Sequence, residues 1–271
     1  MSKLYFLGNS TKVQMLGCVI VSGGKTVVID GGSFGDNRQL TDLLLEVCNG
    51  HVDAWFFTHP HHDHIGSFYR IMKHPSKITV DNIYHHFPSL DSLKKHGTRH
   101  GDEVSLWEGL FSLFNETLSE KVHIMDRGNC YEFGNLKISV LRVYNESIVQ
   151  NFVNNSSTVL RIDGESASVL ILGDLGCEGG DEVKRICSRE SLVTDYTQMA
   201  HHGQCGVKRD FYEYIMPKRC IWPSPDWLWD NDNGDGFDTG PWQTVRTREW
   251  MDAIGVTNHI VEKDGTQIIE I

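Results

Sequence analysis

Within six residues, His59-Pro60-His61-His62-Asp63-His64, the chain places four of its 14 histidines and a carboxylate. They stand directly behind the apolar, aromatic-rich run Asp53 to Thr58. So dense a set of imidazoles constrains what the surrounding chain can become, because close-packed histidines repel when protonated and need a neutral or liganding partner. Pro60 cannot donate to a sheet ladder and ends a strand abruptly. The run before it therefore reads as a buried strand, the cluster as a loop at its end, and Ile65 to Lys73 as a helix. Neutral imidazole and carboxylate oxygen are good ligands for zinc and comparable divalent metals. In an extended turn His59 and His61 project together while Asp63 and His64 face a second position, a spacing that serves two metals. A solvated polar loop is the alternative.

The flanking sequence gives the loop a frame. Leu4 to Leu7, Val13 to Val21 and Lys25 to Asp30 are short apolar runs separated by turn signals, a meander with a hairpin at Gly23-Gly24. Asp30-Gly31-Gly32 ends it, and Asp36 to Cys48 carries apolar residues at helical spacing. Lys77 to Ile83 reads as a strand, Tyr84 to His100 as loop, and Asp102 to Leu118 as a helix with a wide apolar stripe. From Lys121 the opening pattern recurs: strands near 122–125, 136–143, 158–162 and 168–172, the last ending in Gly173-Asp174. Helices near 181–187, 207–215 and 242–253 and strands near 196–199, 219–222 and 267–271 complete this half. Two meander-plus-helix halves without a Pro/Gly/Ser-rich linker predict two sheets packed face to face, helices outside, as one domain over 1–271.

Composition narrows the function classes. With 39% hydrophobic and 23% charged residues and a net charge of −11, the chain reads as an ordinary soluble globular protein. Its acidity argues against broad binding of nucleic acid or anionic membrane through a basic face, and a local basic patch is what a nucleic-acid substrate would need. The longest apolar runs, such as Leu16 to Val21, fall far below the roughly 18 residues of a membrane-spanning helix. Leu4 to Leu7, soon interrupted by Gly8-Asn9-Ser10, is too short for a signal peptide's apolar region. Seven cysteines without a CxxC pair suit a reducing compartment, so a cytoplasmic protein is expected.

The string Thr58-His59-Pro60-His61-His62-Asp63-His64-Ile65-Gly66 resembles the HxHxDH signature of the metallo-β-lactamase superfamily. Asp30-Gly31-Gly32 resembles its early acidic turn, Leu172-Gly173-Asp174 its later Gly-Asp, and Ala200-His201-His202-Gly203 its final histidine motif. The resemblance implies an α/β (α+β) fold, the four-layer αββα sandwich of two packed mixed β-sheets flanked by helices. It further implies a binuclear metal-dependent hydrolase with two divalent ions, Zn²⁺ or else Mn²⁺ or Fe, and a metal-bridging hydroxide as nucleophile. His59 and His61 would hold one metal and Asp63 and His64 the other, with Asp174 bridging and His201 completing the second position. Asp63 and Asp174 are thereby the catalytic pair. His202 is the competing choice for the final ligand, and whichever of the two does not ligate faces substrate or a neighbouring carboxylate.

The chain also departs from the pattern. Many members carry a further histidine before the strand that leads to the bridging aspartate, where this chain has Val153-Asn154-Asn155-Ser156-Ser157. That segment is similar to the Asn-x-x-Ser stretch of the competence-protein and phosphorylcholine-esterase branches. Asn154 and Ser157 are accordingly expected at the substrate, with an Asx turn leading into a strand as the alternative for Asn154. Trp222, with Trp227 and Trp229, would form an aromatic wall, or else core or lid packing. Tyr84-His85-His86 reads as loop. Asp30 reads as orienting a histidine, and Cys205 as a buried, inert thiol. A phosphoester or phosphodiester is the expected substrate. A lactone or thioester, or a regulatory metal-binding role with little turnover, are the alternatives, and the oligomeric state is not readable.

Overall fold

The computed structural model describes residues 1–74, 76–97 and 102–271, with the backbone alone at Asp102. Thirteen strands follow in chain order. They are β1 (Lys3–Phe6), β2 (Gly17–Ser22), β3 (Lys25–Asp30), β4 (His51–Phe56), β5 (Thr79–His85), β6 (Val122–Ile124) and β7 (Cys130–Phe133), then β8 (Leu136–Arg142), β9 (Val159–Asp163), β10 (Ser168–Ile171), β11 (Tyr196–Gln198), β12 (Cys220–Trp222) and β13 (His259–Val261). A last strand, β14 (Gln267–Glu270), returns to the beginning. One sheet runs β14-β1-β2-β3-β4-β5-β6 and the other β13-β12-β11-β10-β9-β8-β7. In the first, pairing is antiparallel up to β3 and parallel from β3 to β6. In the second, it is antiparallel from β7 to β10 and parallel from β10 to β13.

Alternation along the strands explains the layering. In β2, Cys18 and Ile20 join the apolar layer between the sheets, with Ala54 and Phe56 of β4 and Ile138, Leu160 and Ile171 from across it. Val19 and Trp55 point the other way, onto Leu40 and Leu44 of α1 (Asn37–Cys48) and Ile65 and Phe68 of α2 (His62–Lys73). On the far side Leu170 and Trp222 meet Val183, Phe211 and Met251 of helices Cys177–Ile186, Arg209–Ile215 and Thr244–Ala253. The result is helix, sheet, sheet, helix, as the periodicity predicts.

Two strands change sheets relative to the expected halves. β6, read as opening the second half, pairs with β5 through Ile83 and Val122. β14, read as closing it, pairs with β1 from Lys3–Glu270 to Phe6–Gln267. The stretch read as loop from Tyr84 to His100 holds the end of β5 and α3 (Leu90–His96), while residues 98–100 lie outside those described. The helix expected over Asp102 to Leu118 runs as α4 (Asp102–Ser112) and then widens into a π turn over Leu113–Thr117.

Candidate metal centre

Every candidate ligand leaves a strand at its carboxyl end, beside the position where each sheet switches from antiparallel to parallel pairing. Crevices at such switch points are where α/β sheets expose backbone and side chains together. Asp30 closes β3, His59 follows β4, Asp174 follows β10 and the histidine pair follows β11. His61 is the N-cap of α2, with extended backbone, and its carbonyl accepts from the backbone N–H groups of His64 and Ile65. The helix therefore begins at His62, earlier than the expected Ile65, and Asp63 and His64 belong to its first turn, where the positive end of the helix dipole favours a carboxylate.

The side chains form two adjoining groups. Asp63, His64, Asp174 and His202 offer four ligand atoms within 4.8 Å of one another, and His59, His61 and Asp174 offer three. His202 Nε2 lies 3.2 Å from Asp63 Oδ2 and 3.3 Å from Asp174 Oδ2, and His64 Nε2 lies 3.2 Å from Asp174 Oδ1. His59 Nε2 faces His61 Nδ1 at 2.9 Å and Asp174 Oδ2 at 3.7 Å. Hydrogen bonds behind the rings fix which nitrogen is free. His64 Nδ1 donates to Asp30 Oδ2 (2.7 Å), a carboxylate also held by the N–H and hydroxyl of Thr58. His202 Nδ1 donates to the Pro223 carbonyl (2.7 Å). Both rings thus turn Nε2 inward, the arrangement that orients metal-binding histidines.

The electrostatics follow from burial. Burial pushes the Asp174 carboxyl up, but His202, His64 and His59 outweigh it and hold the group well below the usual carboxylate range. Asp63 is held down in the same way by His202 and His64. Burial opposes a charge on His202, yet Asp174 and Asp63 push it up to about 10. His64 is likewise driven well above its ordinary value by Asp174 and Asp30, whereas burial and His64 push His59 well below. Two buried carboxylates thus demand positive charge. His64 Nε2, His202 Nε2 and Asp174 Oδ1 are buried without a hydrogen-bond partner, and all three belong to the four-ligand group. Such a donor set, imidazole nitrogen with carboxylate oxygen, fits divalent cations, because unpaired buried polar atoms are costly and a cation satisfies them together.

Several expected positions change. The structure brings His202, rather than His201, to Asp63 and Asp174. His201 and His202 both adopt left-handed backbone, with φ of 52° and 57°, and Gly203 follows at 79°. This tight turn sends His202 into the core beside the two carboxylates and leaves His201, the expected ligand, on the wall of the adjoining cleft. At Gly203 a Cβ would stand 2.4 Å from the Trp222 ring, so the turn needs glycine. Trp222 is fully buried against that glycine, its Nε1 donating to His259 Nδ1, and touches no cleft. The Ser157 hydroxyl accepts the Asp174 N–H (3.0 Å) and so braces Asp174 instead of lining the cleft. Cys205 is exposed rather than buried, and its carbonyl faces His201 Nδ1. His85 is buried against Phe87 and Phe114 away from the centre.

Asn154 does line the cleft. It belongs to a short helix, Phe152–Asn155, not to an Asx turn, and its Oδ1 is buried without a partner while Nδ2 donates to Asn151 Oδ1. The cleft, about 490 Å³, opens beside Asp63, Asp174 and His61, with Gln14, Asn154 and His201 on its walls. Three contributors escape the sequence reading. Gln14 donates to Asp63 Oδ2 (3.2 Å) and is itself held by Gln204. Glu103, on α4, reaches His62. Gln14 and Glu103 lie 49 and 41 residues from their partners, and no local pattern marks them.

Residues 18–136 match the sequence model described as "Metallo-beta-lactamase superfamily". No curated protein sequence matches the chain. Among solved structures, the metallo-beta-lactamase fold protein YhfI from Bacillus subtilis is 14% identical, each chain covered in full, with a TM-score of 0.57. A diphosphatase of the PhnP family is 14% identical over 100% of this chain and 98% of its own, at 0.51. CmlA, a diiron beta-hydroxylase from Streptomyces venezuelae, is 13% identical at 0.60 over 100% of this chain and 54% of its own. The chain is thus similar to the metallo-β-lactamase superfamily over residues 18–136 and has the metallo-β-lactamase fold, with its HxHxDH residues in the candidate metal group. Among the described residues no helix is long and apolar enough to cross a membrane.

Proposed function

We propose that this chain is a two-metal hydrolase acting on phosphoesters, phosphodiesters foremost. One observation carries the reading: the buried ring nitrogens of His64 and His202 and Oδ1 of Asp174 converge without hydrogen-bond partners. His59, His61 and Asp174 would hold one cation, and Asp63, His64, Asp174 and His202 the other. Bound divalent cations, zinc first among them, supply Lewis acidity and bring the pKa of water toward about 7, making a nucleophile available at neutral pH. Asp174, common to both groups, ties the two positions together. Gln14 keeps Asp63 oriented, and Thr58 and Asp30 keep His64 in the tautomer that leaves Nε2 free. Asn154 Oδ1 and His201 offer an amide oxygen and an imidazole to a substrate in the cleft.

The lining also bears on substrate class. Among the described residues no lysine or arginine lines the cleft. Substrate charge has to be met by the cations and by amide and imidazole groups, which suits the single negative charge of a phosphodiester better than a polyphosphate or a nucleic-acid strand. Seven unpaired cysteines support a reducing compartment such as the cytoplasm. The test is metal content of protein purified without a metal-affinity tag, together with hydrolysis of bis(p-nitrophenyl) phosphate. About two ions per chain and turnover, both lost in Asp174→Asn, are expected. Failure to bind cations after reconstitution would overturn the reading, and turnover of lactones or thioesters alone would replace its substrate.

A further inference from the structure

α4 meets the histidine loop at two points one helical turn apart. Trp107 Nε1 donates to the Pro60 carbonyl (2.8 Å), and Glu103 Oε1 accepts from the backbone N–H of His62 (3.3 Å) and from His62 Nδ1 (3.1 Å). The second oxygen, Oε2, is buried, has no hydrogen-bond partner and lies 3.7 Å from His61 Nε2. On the opposite edge of the same ring, His61 Nδ1 faces His59 Nε2. A neutral imidazole carries one proton and one ligating lone pair, and the partner of one nitrogen decides which is which. The negative charge on the Nε2 side favours the proton there, without a formed hydrogen bond, and leaves the lone pair of Nδ1 on the side of His59.

We propose that Glu103 is a positioning residue for the first cation: shared between His61 and His62, it fixes the His61 tautomer and leaves Nδ1 free to ligate. The inference rests on the two-metal reading. It gives Glu103 a specific task, because the two groups are unequal. The second offers four ligands, two of them imidazoles already oriented by Asp30 and Pro223, while the first offers two imidazoles and a shared carboxylate. The poorer donor set depends more on how strongly each imidazole donates. Carboxylates behind a ligating histidine are worth about 10- to 100-fold in metal affinity.

The experiment is a Co²⁺ titration of the metal-free full chain, followed by calorimetry and by the visible absorption of the bound ion. Wild type is expected to take up two ions. Glu103→Gln should weaken one of them 10- to 100-fold, with a changed absorption spectrum for that ion, and leave the other within about twofold. Two ions bound with unchanged affinity, or both weakened alike, would overturn the role of Glu103 while leaving the two-metal reading standing. Wild type that binds a single ion or none would instead overturn that reading. Should Glu103→Gln not fold, the decision passes to nitrogen-15 spectra of Zn²⁺-loaded wild type. There His61 is expected to be protonated at Nε2 and metal-bound at Nδ1, and the reverse tautomer refutes the proposal.

Discussion

At the scale of single residues, adjacent histidines separate because the backbone turns between them. No periodicity announces two left-handed residues in a row, a conformation that costs non-glycine residues roughly 1 kcal/mol or more each. The sequence could mark Ala200-His201-His202-Gly203 as a ligand-bearing motif, but the choice between the two rings rests on that turn and on Pro223, 21 residues away. On the two-metal reading His202→Ala loses an ion from the second group, whereas His201→Ala retains both and weakens substrate binding. Metal analysis of the two variants separates these outcomes. A second residue carries a pH dependence. Glu262 is fully buried with both carboxylate oxygens unpartnered, and burial drives its carboxyl well above the ordinary value, against the pull of His202. The folded chain thus keeps a proton that the unfolded chain releases near about pH 4.3, so stability is lost as pH rises through that value toward the folded one. Glu262→Gln cannot ionise. Its melting temperature relative to wild type should climb between about pH 4 and pH 8, and a flat difference would refute the assignment.

Elements were more legible than the contacts between them. The short apolar runs of β2 to β4 and the helical spacing of Leu40 and Leu44 are local signals, so those elements lie close to where the sequence sets them. Short edge strands such as Cys130–Phe133 and His259–Val261 lack a run long enough to show a period, and only their ladders define them. The four candidate ligands of the HxHxDH string were readable because they sit within one strand end and one helix start. Of what braces the centre, Asp30 behind His64 was readable and the rest was not, since it comes from other elements. Arg142 at the end of β8 is an example: buried, it pairs with Glu182 of helix Cys177–Ile186 at 2.9 Å and donates to the Ser157 carbonyl at 2.7 Å. Arg142→Met leaves Glu182 with only Asn145 and the exposed Arg185 as partners and should cost about 1–3 kcal/mol, read from urea unfolding. It should also loosen the loop beneath Asp174. Gly203→Ala, by contrast, acts on the histidine turn itself. A destabilisation of about 1–3 kcal/mol, with loss of the ion near His202, is expected from the clash with Trp222, and full stability with both ions retained would contradict it.

At the scale of the molecule, the two sheets repeat one pairing scheme, and the candidate centre takes ligands from both: Asp63 and His64 from the first, Asp174 and His202 from the second. A cation there would bind only the docked pair of sheets. Chelation should therefore lower the melting temperature, by an amount on the order of 10 °C if metal stands a thousandfold above its dissociation constant, equivalent to about 4 kcal/mol. Scanning calorimetry with and without EDTA measures it, and an unchanged transition in protein known to be loaded would contradict the coupling. The closing strand has a different consequence. Because β14 pairs with β1, and the Ile271 N–H donates to the Ser2 carbonyl, the outer edge of β1 is covered by a strand that lies far along the chain, from Gln267 to Glu270. During synthesis, then, Lys3 to Phe6 stands as an open β-edge, available to any other nascent chain, until that distant strand arrives.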